Sequence, residues 1–170
     1  MADDGRTIKR IKLIFMAKRK NKLIVEPFDD IKIIGINTIM MDYQLAWYLN
    51  KALKIELAKY KSITTNDNGL FSFYLYDAGE NSNTYNLVSL VSEDKVWASF
   101  KTKTDYLFII RNYMNESDFQ SILTKINDIS QIFYAYSVDL THDKKIDAIL
   151  EDIEFHEMEI IDEINKRLRI

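Results

Sequence analysis

The two histidines of this chain, His142 and His156, are the side chains best suited to metal binding or to proton transfer near neutral pH. Asp152 and His156 have the i, i+4 spacing that places two metal ligands on one face of a helix. A metal site needs one or two further ligands, and neither a Glu-x-x-His pair nor a cysteine is present to supply them. We therefore expect no metal site and no cofactor, and we interpret both histidines as exposed or packed side chains.

Motifs for phosphate binding and for nucleophilic catalysis do not occur in the sequence. The four glycines are isolated, so there is no G-x-x-x-x-G-K, G-x-G-x-x-G or G-x-S-x-G, and His-Glu-x-x-His is also missing. Charged residues make up 29% of the chain, too many for an acid–base pair to be selected from sequence alone. We expect a protein without catalytic activity and keep an enzyme with no recognisable motif as an alternative.

The segment DYQLAWYLNKAL carries two large aromatic residues, Tyr43 and Trp47, one helical turn apart. At about 100° per residue, a helix places Tyr43, Trp47, Asn50 and Lys54 on one side. The opposite side holds an apolar stripe formed by Leu45, Leu49 and Leu53. An exposed Tyr-Trp pair beside an amide and a lysine is typical of a protein interaction site, and base stacking is a further use of such a pair. Tryptophan is usually buried, which favours a second layer covering Trp47 instead.

A second candidate surface lies on FSFYLYD, where the apolar period changes from 3.6 to 2. The residues Phe71, Phe73 and Leu75 alternate with Ser72, Tyr74 and Tyr76. One face of this strand is expected to pack in the core, and Tyr74 and Tyr76 on the other face are expected to meet solvent or a partner.

The elements that position these residues alternate in period along the chain. Strand patterns occur in IKIIGI, IELAKYKSI, FSFYLYD, YNLVSLV, VWASF, DYLFIIR and IFYAYSV, and the stretch from FSFYLYD to VWASF has the spacing of a meander. One helix is expected to start at Asp42 as N-cap, and a second at Asn115 with Asp118 three residues on. We predict an α+β fold: a single two-layer domain with a mainly antiparallel sheet of roughly six or seven strands, helices on one face and a long C-terminal helix.

The C-terminal segment is predicted to be one helix because it lacks glycine and proline and repeats isoleucines at near-heptad spacing. An apolar stripe of this kind either packs on its own domain or pairs with a second copy of the chain. Intrachain packing is the more common arrangement and is favoured. A homodimer is the alternative, and it would use Ile146, Ile153, Ile160 and Ile164.

Composition sets the expected domain organisation and compartment. A chain of 170 residues, 47% of them hydrophobic, fits one domain. Residues 1–28 are predicted to be a basic N-terminal arm, 29–140 the α+β domain and 141–170 the C-terminal helix. No apolar run is long enough to span a membrane, no secretion signal is recognisable and cysteine is absent, so we expect a cytoplasmic protein with no membrane partner.

The run IGINTIMMDYQLAWYLNKALKIEL, followed by FSFYLYD, DYLFII and FYAYSVD, resembles the IPExxxVDY family of uncharacterised Bacteroidota proteins. The resemblance extends from Ile33 to Asp139, and Asp105 and Tyr106 match the last two positions of the naming motif. It implies a cytoplasmic bacterial protein and transfers no catalytic residue, but it makes Asp105 and Tyr106 candidates for binding. An aspartate at the start of a buried strand also serves simply to bond turn amides.

Together these observations predict a binding or adaptor protein that acts on an unknown protein partner through the aromatic helix or the tyrosines of the sheet. The first alternative is an RNA- or ribosome-associated factor, in which the basic arm and the sheet tyrosines contact nucleic acid.

Overall fold

The computed structural model describes residues 30–141 and 144–169. They belong to two compact units, of which the first is Asp30–Thr141 and the second includes the C-terminal helix. The basic arm of residues 1–28 and His142 lie outside the described residues, so what the sequence predicts for them stays a prediction.

The first unit is a six-stranded antiparallel sheet with two helices, which confirms the predicted α+β class. The strands are β1 (Ile31–Thr38), β2 (Ala58–Thr64), β3 (Leu70–Asp77), β4 (Thr84–Ser89), β5 (Tyr106–Arg111) and β6 (Ile132–Ser137). The helices are α1 (Asp42–Leu53) and α2 (Glu116–Asn127). The strand order is β2-β3-β4-β5-β1-β6, so β2 and β6 are the outer strands.

Both helices pack on the same face of the sheet, as predicted. The shared core contains Leu45, Leu49, Phe119 and Ile126 from the helices. From the strands it contains Ile34, Ile36, Leu87, Phe108 and Ile110, which all point to this face because strand side chains alternate. Burial of this apolar surface is the main force that holds α1 and α2 on the sheet.

The opposite face of the strands is buried as well. Phe73, Val88, Leu107 and Ile109 lie on it and are almost fully shielded from solvent. Phe71 on the same face contacts the ring of Trp97, with ring centroids 5.3 Å apart. Strand β5 is therefore apolar on both sides, as its sequence predicted.

Two local predictions are wrong. VWASF does not form a strand: Val96 pairs with Val91 in an isolated bridge, and the Trp97 ring packs on Phe71. Helix α1 is capped by Met41 instead of Asp42, because the Gln44 side chain accepts the Met41 N–H while Asp42 turns toward the sheet. The predicted cap of α2 is confirmed, since the Asn115 side chain accepts the Asp118 N–H at 2.8 Å.

The second unit contains helix α3 (Lys144–Leu168), whose 25 residues confirm the predicted C-terminal helix. Its residues Ile146, Ile153 and Ile160 are buried within the chain, whereas Ile164 is partly exposed. Packing of this helix on the domain and the alternative homodimer through these isoleucines both stay predictions. His156 is also buried on α3.

Candidate functional site

Large exposed apolar side chains are concentrated in the nine residues from Ile39 to Trp47. The exposed fractions are 84% for Ile39, 58% for Met41, 61% for Tyr43 and 57% for Trp47. Lys51 and Lys54, further along the helix, are also exposed. We call Ile39, Met41, Tyr43, Trp47, Lys51 and Lys54 the α1 surface. The favoured expectation that a second layer covers Trp47 is wrong, because α1 buries only its Leu45, Ala46 and Leu49 stripe.

Trp47 is held in place although more than half of it is exposed. The Tyr48 ring meets the indole edge-on, with centroids 4.9 Å apart, and the Lys51 ammonium lies 5.0 Å from the indole centroid. Tyr48 is fixed in turn, because its hydroxyl accepts a hydrogen bond of 2.7 Å from the Gln131 side chain. An aromatic ring fixed in this way loses little conformational entropy when a partner covers it.

The loop that carries Ile39 and Met41 is also fixed from several sides. The Asp105 carboxylate accepts the Thr38 N–H at 3.0 Å, and the Tyr106 hydroxyl donates to the Met40 carbonyl at 2.9 Å. The Thr38 hydroxyl donates to the Gln131 carbonyl and accepts the Met40 N–H. Met40 is buried beneath this loop, so Ile39 and Met41 are exposed on a constrained backbone.

A polar cluster lies at the start of α1. The Asp42 carboxylate accepts hydrogen bonds from the Lys59 ammonium at 2.8 Å and from the Tyr74 hydroxyl at 3.1 Å. Burial alone would raise the pKa of Asp42, but hydrogen bonds from Lys59, Ser72 and Tyr74 outweigh it and hold the pKa below its ordinary 3.8. Burial, together with the Asp42 charge, raises the pKa of the Tyr74 hydroxyl above its ordinary 10.0. The cluster joins α1 to β2 and β3 through an ionised carboxylate.

Three of the predicted binding residues, Tyr74, Tyr76 and Asn50, are not part of the α1 surface. Tyr74 is only 4% exposed, because its hydroxyl finds an acceptor in Asp42 and the whole ring can be buried. Tyr76 is half-buried and stacked on Tyr85, with centroids 6.0 Å apart. Asn50 is half-buried and its amide is engaged by the Leu57 backbone. The prediction that Tyr74 lies on an open sheet surface is therefore wrong, which leaves the RNA alternative to depend on the basic arm.

Asp105 and Tyr106 support the α1 surface without being part of it. Tyr106 is buried, and burial raises the pKa of its hydroxyl. Asp105 bonds the Asn37 side chain at 2.6 Å in addition to Thr38. Asp105 therefore acts as a hydrogen-bond acceptor, as expected, but for the last two residues of β1 and not for turn amides. Of the α1 surface, the sequence predicted Tyr43, Trp47 and Lys54 but not Ile39, Met41 and Lys51. Lys51 could have been predicted, because it follows Trp47 by four residues, as Trp47 follows Tyr43.

A shallow pocket of about 350 Å³ lies apart from these residues, where β1, α2 and the chain after β6 meet. Its polar side chains are Lys32, Glu116, Ser137 and Asp139. Lys32 donates to Glu116 at 2.9 Å, and hydrogen bonds from Gln120 and Lys32 lower the pKa of Glu116. Its lysine is therefore already paired with a carboxylate.

Residues 30–141 and 144–169 contain neither a cluster of metal ligands nor a membrane-spanning helix. In that part of the chain, no group of three or more His, Cys, Asp or Glu side chains could hold a metal ion. Nor does any described helix have the length and apolar character needed to cross a bilayer.

Compared with protein-family models, with curated proteins and with solved structures, the chain shows no match. The resemblance to the IPExxxVDY family stays a prediction.

Proposed function

We propose that this chain is a binding or adaptor protein that recognises a partner protein through the α1 surface. The observation that carries the proposal is the exposure of Ile39, Met41, Tyr43 and Trp47 within one short segment. Tryptophan and tyrosine dominate the energetics of protein interfaces, and contiguous apolar side chains on a protein surface mark interaction sites.

The fixed backbone beneath the surface also supports the proposal. The Asp105 carboxylate accepts the Thr38 N–H and the Tyr106 hydroxyl donates to the Met40 carbonyl, which anchors the loop before α1, and Tyr48 packs against Trp47. A surface of this kind is already in its binding conformation, so little of the interaction energy is spent on ordering it.

The test is affinity purification of the full chain from its native cells, with wild type, Trp47→Ala and Tyr113→Ala as baits. Tyr113 is a matched control, because its ring is also large and is 77% exposed. It follows the last residue of β5, whereas the first residue of β5, Tyr106, is the one that contacts the loop before α1. We expect wild type and Tyr113→Ala to retain the same protein. Trp47→Ala should weaken its binding roughly 30-fold, since loss of a hot-spot residue costs about 2 kcal/mol.

Equal recovery of that protein by Trp47→Ala would contradict the proposal. Co-purified nucleic acid that is lost steeply as salt rises would instead support the RNA alternative.

A further inference from the structure

The exposed charges of the α1 surface are all positive, which bears on the partner that the proposed function requires. The exposed residues between positions 39 and 54 are Ile39, Met41, Tyr43, Gln44, Trp47, Lys51 and Lys54. The chain as a whole has a net charge of -3, so this surface has the opposite sign to the protein that carries it.

Asp42 is the only acid in that stretch, and it does not offset the two lysines at the surface. Its side chain is 14% exposed and is paired with Lys59. The next acid along the chain, Glu56, follows the end of the helix, beyond the left-handed cap residue Lys54. Within the described part of the chain, neither Lys51 nor Lys54 forms an ion pair. Neither ammonium group is therefore neutralised by a carboxylate of these residues, and that of Lys51 lies beside the Trp47 indole, where one partner segment can meet both.

We infer that the partner of the α1 surface is an acidic peptide segment, in which a large apolar side chain covers Trp47 and carboxylates meet Lys51 and Lys54. This inference rests on the proposed function. The apolar contact supplies most of the affinity, and the carboxylates orient the segment and exclude basic competitors.

Two lysines are too few to bind nucleic acid or an anionic membrane. Binding to nucleic acid draws on many phosphate contacts, each of which adds about one unit to the salt dependence. Stable attachment to an anionic bilayer likewise uses clusters of roughly four to eight basic residues. The α1 surface exposes four large apolar or aromatic side chains and two lysines, a composition that fits a protein segment better than a polyanion.

The experiment is a selection from a phage-displayed library of random peptides, long enough to form a helix, on the immobilised full chain. Peptides that also bind Trp47→Ala are removed by counter-selection. We expect the remaining peptides to combine a large apolar residue with an excess of Asp and Glu over Lys and Arg. A representative synthetic peptide should bind Lys51→Glu/Lys54→Glu roughly tenfold more weakly than wild type, the loss expected for two exposed charge pairs.

Lys101→Glu/Lys103→Glu is the matched control, because it makes the same charge change at two other exposed lysines. Peptides that need Trp47 but show no acidic excess, or that bind Lys51→Glu/Lys54→Glu as tightly as the control, would overturn the inference and leave the proposed function standing. A selection that yields no peptide dependent on Trp47 would overturn both.

Discussion

The side chain of Asn127 bonds to both backbone groups of Ala135. Its amide nitrogen donates to the Ala135 carbonyl at 3.0 Å, and its amide oxygen accepts the Ala135 N–H at 2.8 Å. Asn50 makes the same pair of bonds to Leu57, at 3.2 Å and 2.8 Å. Ala135 lies in the outer strand β6, and Leu57 directly precedes the outer strand β2. At each edge of the sheet, the side chain of an asparagine near the end of a helix therefore forms the two backbone hydrogen bonds that a neighbouring strand would form.

Replacing Asn127 by alanine should destabilise the protein and open the β6 edge. Three hydrogen bonds are lost, two to Ala135 and one to the Leu123 carbonyl, and the Ala135 backbone groups are left without their partner, at a cost of about 1–3 kcal/mol. Unpaired groups on an outer strand also allow pairing with another copy of the chain. Urea denaturation measures the first effect, and sedimentation velocity at rising concentration measures the second. Ser121→Ala, at an exposed position of the same helix, is the control. A variant with the unfolding midpoint and mass distribution of wild type would contradict both expectations.

Asn50 and Trp47 should have separate effects, although they lie three residues apart on α1. Asn50→Ala removes both bonds to Leu57 and should lower the free energy of unfolding by about 1–3 kcal/mol. Trp47→Ala removes a largely exposed side chain and its edge-on contact with Tyr48, and it should cost less, about 1 kcal/mol. Urea denaturation of the two variants side by side measures this difference. A large loss of stability in Trp47→Ala would mean that the indole belongs to the core.

Local sequence pattern predicted most of the fold. The apolar stripe of Leu45, Ala46 and Leu49 and the Asn115–Asp118 cap are decided within a few residues, so periodicity and capping rules find them. The burial of Tyr74 is different in kind, because it depends on Asp42, 32 positions away in sequence. Because the sequence pattern does not show this acceptor, the alternation of Phe71 and Phe73 with Tyr74 predicts that one face of β3 is exposed to solvent.

The α1 surface was partly predictable for the same reason. Tyr43 and Trp47 follow from helical spacing. The fixed positions of Ile39 and Met41 depend on hydrogen bonds that their neighbours make with Asp105 and Tyr106, more than 60 residues further along the chain. Periodicity cannot find a surface that distant side chains hold in place.

The contribution of Asp42 to stability should depend on pH. Its pKa is lower in the folded protein than the ordinary 3.8, so the charged carboxylate stabilises the fold above pH 3.8, and this contribution is lost as pH falls through the folded value. Asp42→Asn should cost about 1–2 kcal/mol at neutral pH, and the difference from wild type should shrink below pH 3.8. Urea denaturation across this range measures it, with Asp94→Asn at an exposed position as control. A difference independent of pH would show that the charge of Asp42 contributes nothing.

Tyr74 should make the protein sensitive to alkali. Burial and the Asp42 charge raise the pKa of its hydroxyl in the folded state, so its contribution is fully present below pH 10.0 and declines as pH rises above that value. Tyr74→Phe cannot ionise, and its stability should fall less steeply above pH 10.0 than that of wild type. The measurement is the free energy of unfolding on both sides of this pH, with exposed Tyr113→Phe as control. Equal slopes for wild type and Tyr74→Phe would rule out this role.

Gly35 and Tyr136 face each other across β1 and β6, and the pair should be strongly coupled. A Cβ atom at position 35 would lie 2.6 Å from a carbon of the Tyr136 ring, closer than van der Waals contact allows. The ring has little room to withdraw, because its hydroxyl is hydrogen-bonded to Thr104 at 2.6 Å. Gly35→Ala should therefore cost about 1–3 kcal/mol, the range for an overpacked site.

In the Tyr136→Ala background, Gly35→Ala should cost much less, since the clashing ring is gone. A double-mutant cycle from urea denaturation gives the coupling energy directly. Additive effects of the two substitutions would instead place the cost of Gly35→Ala in the backbone of β1.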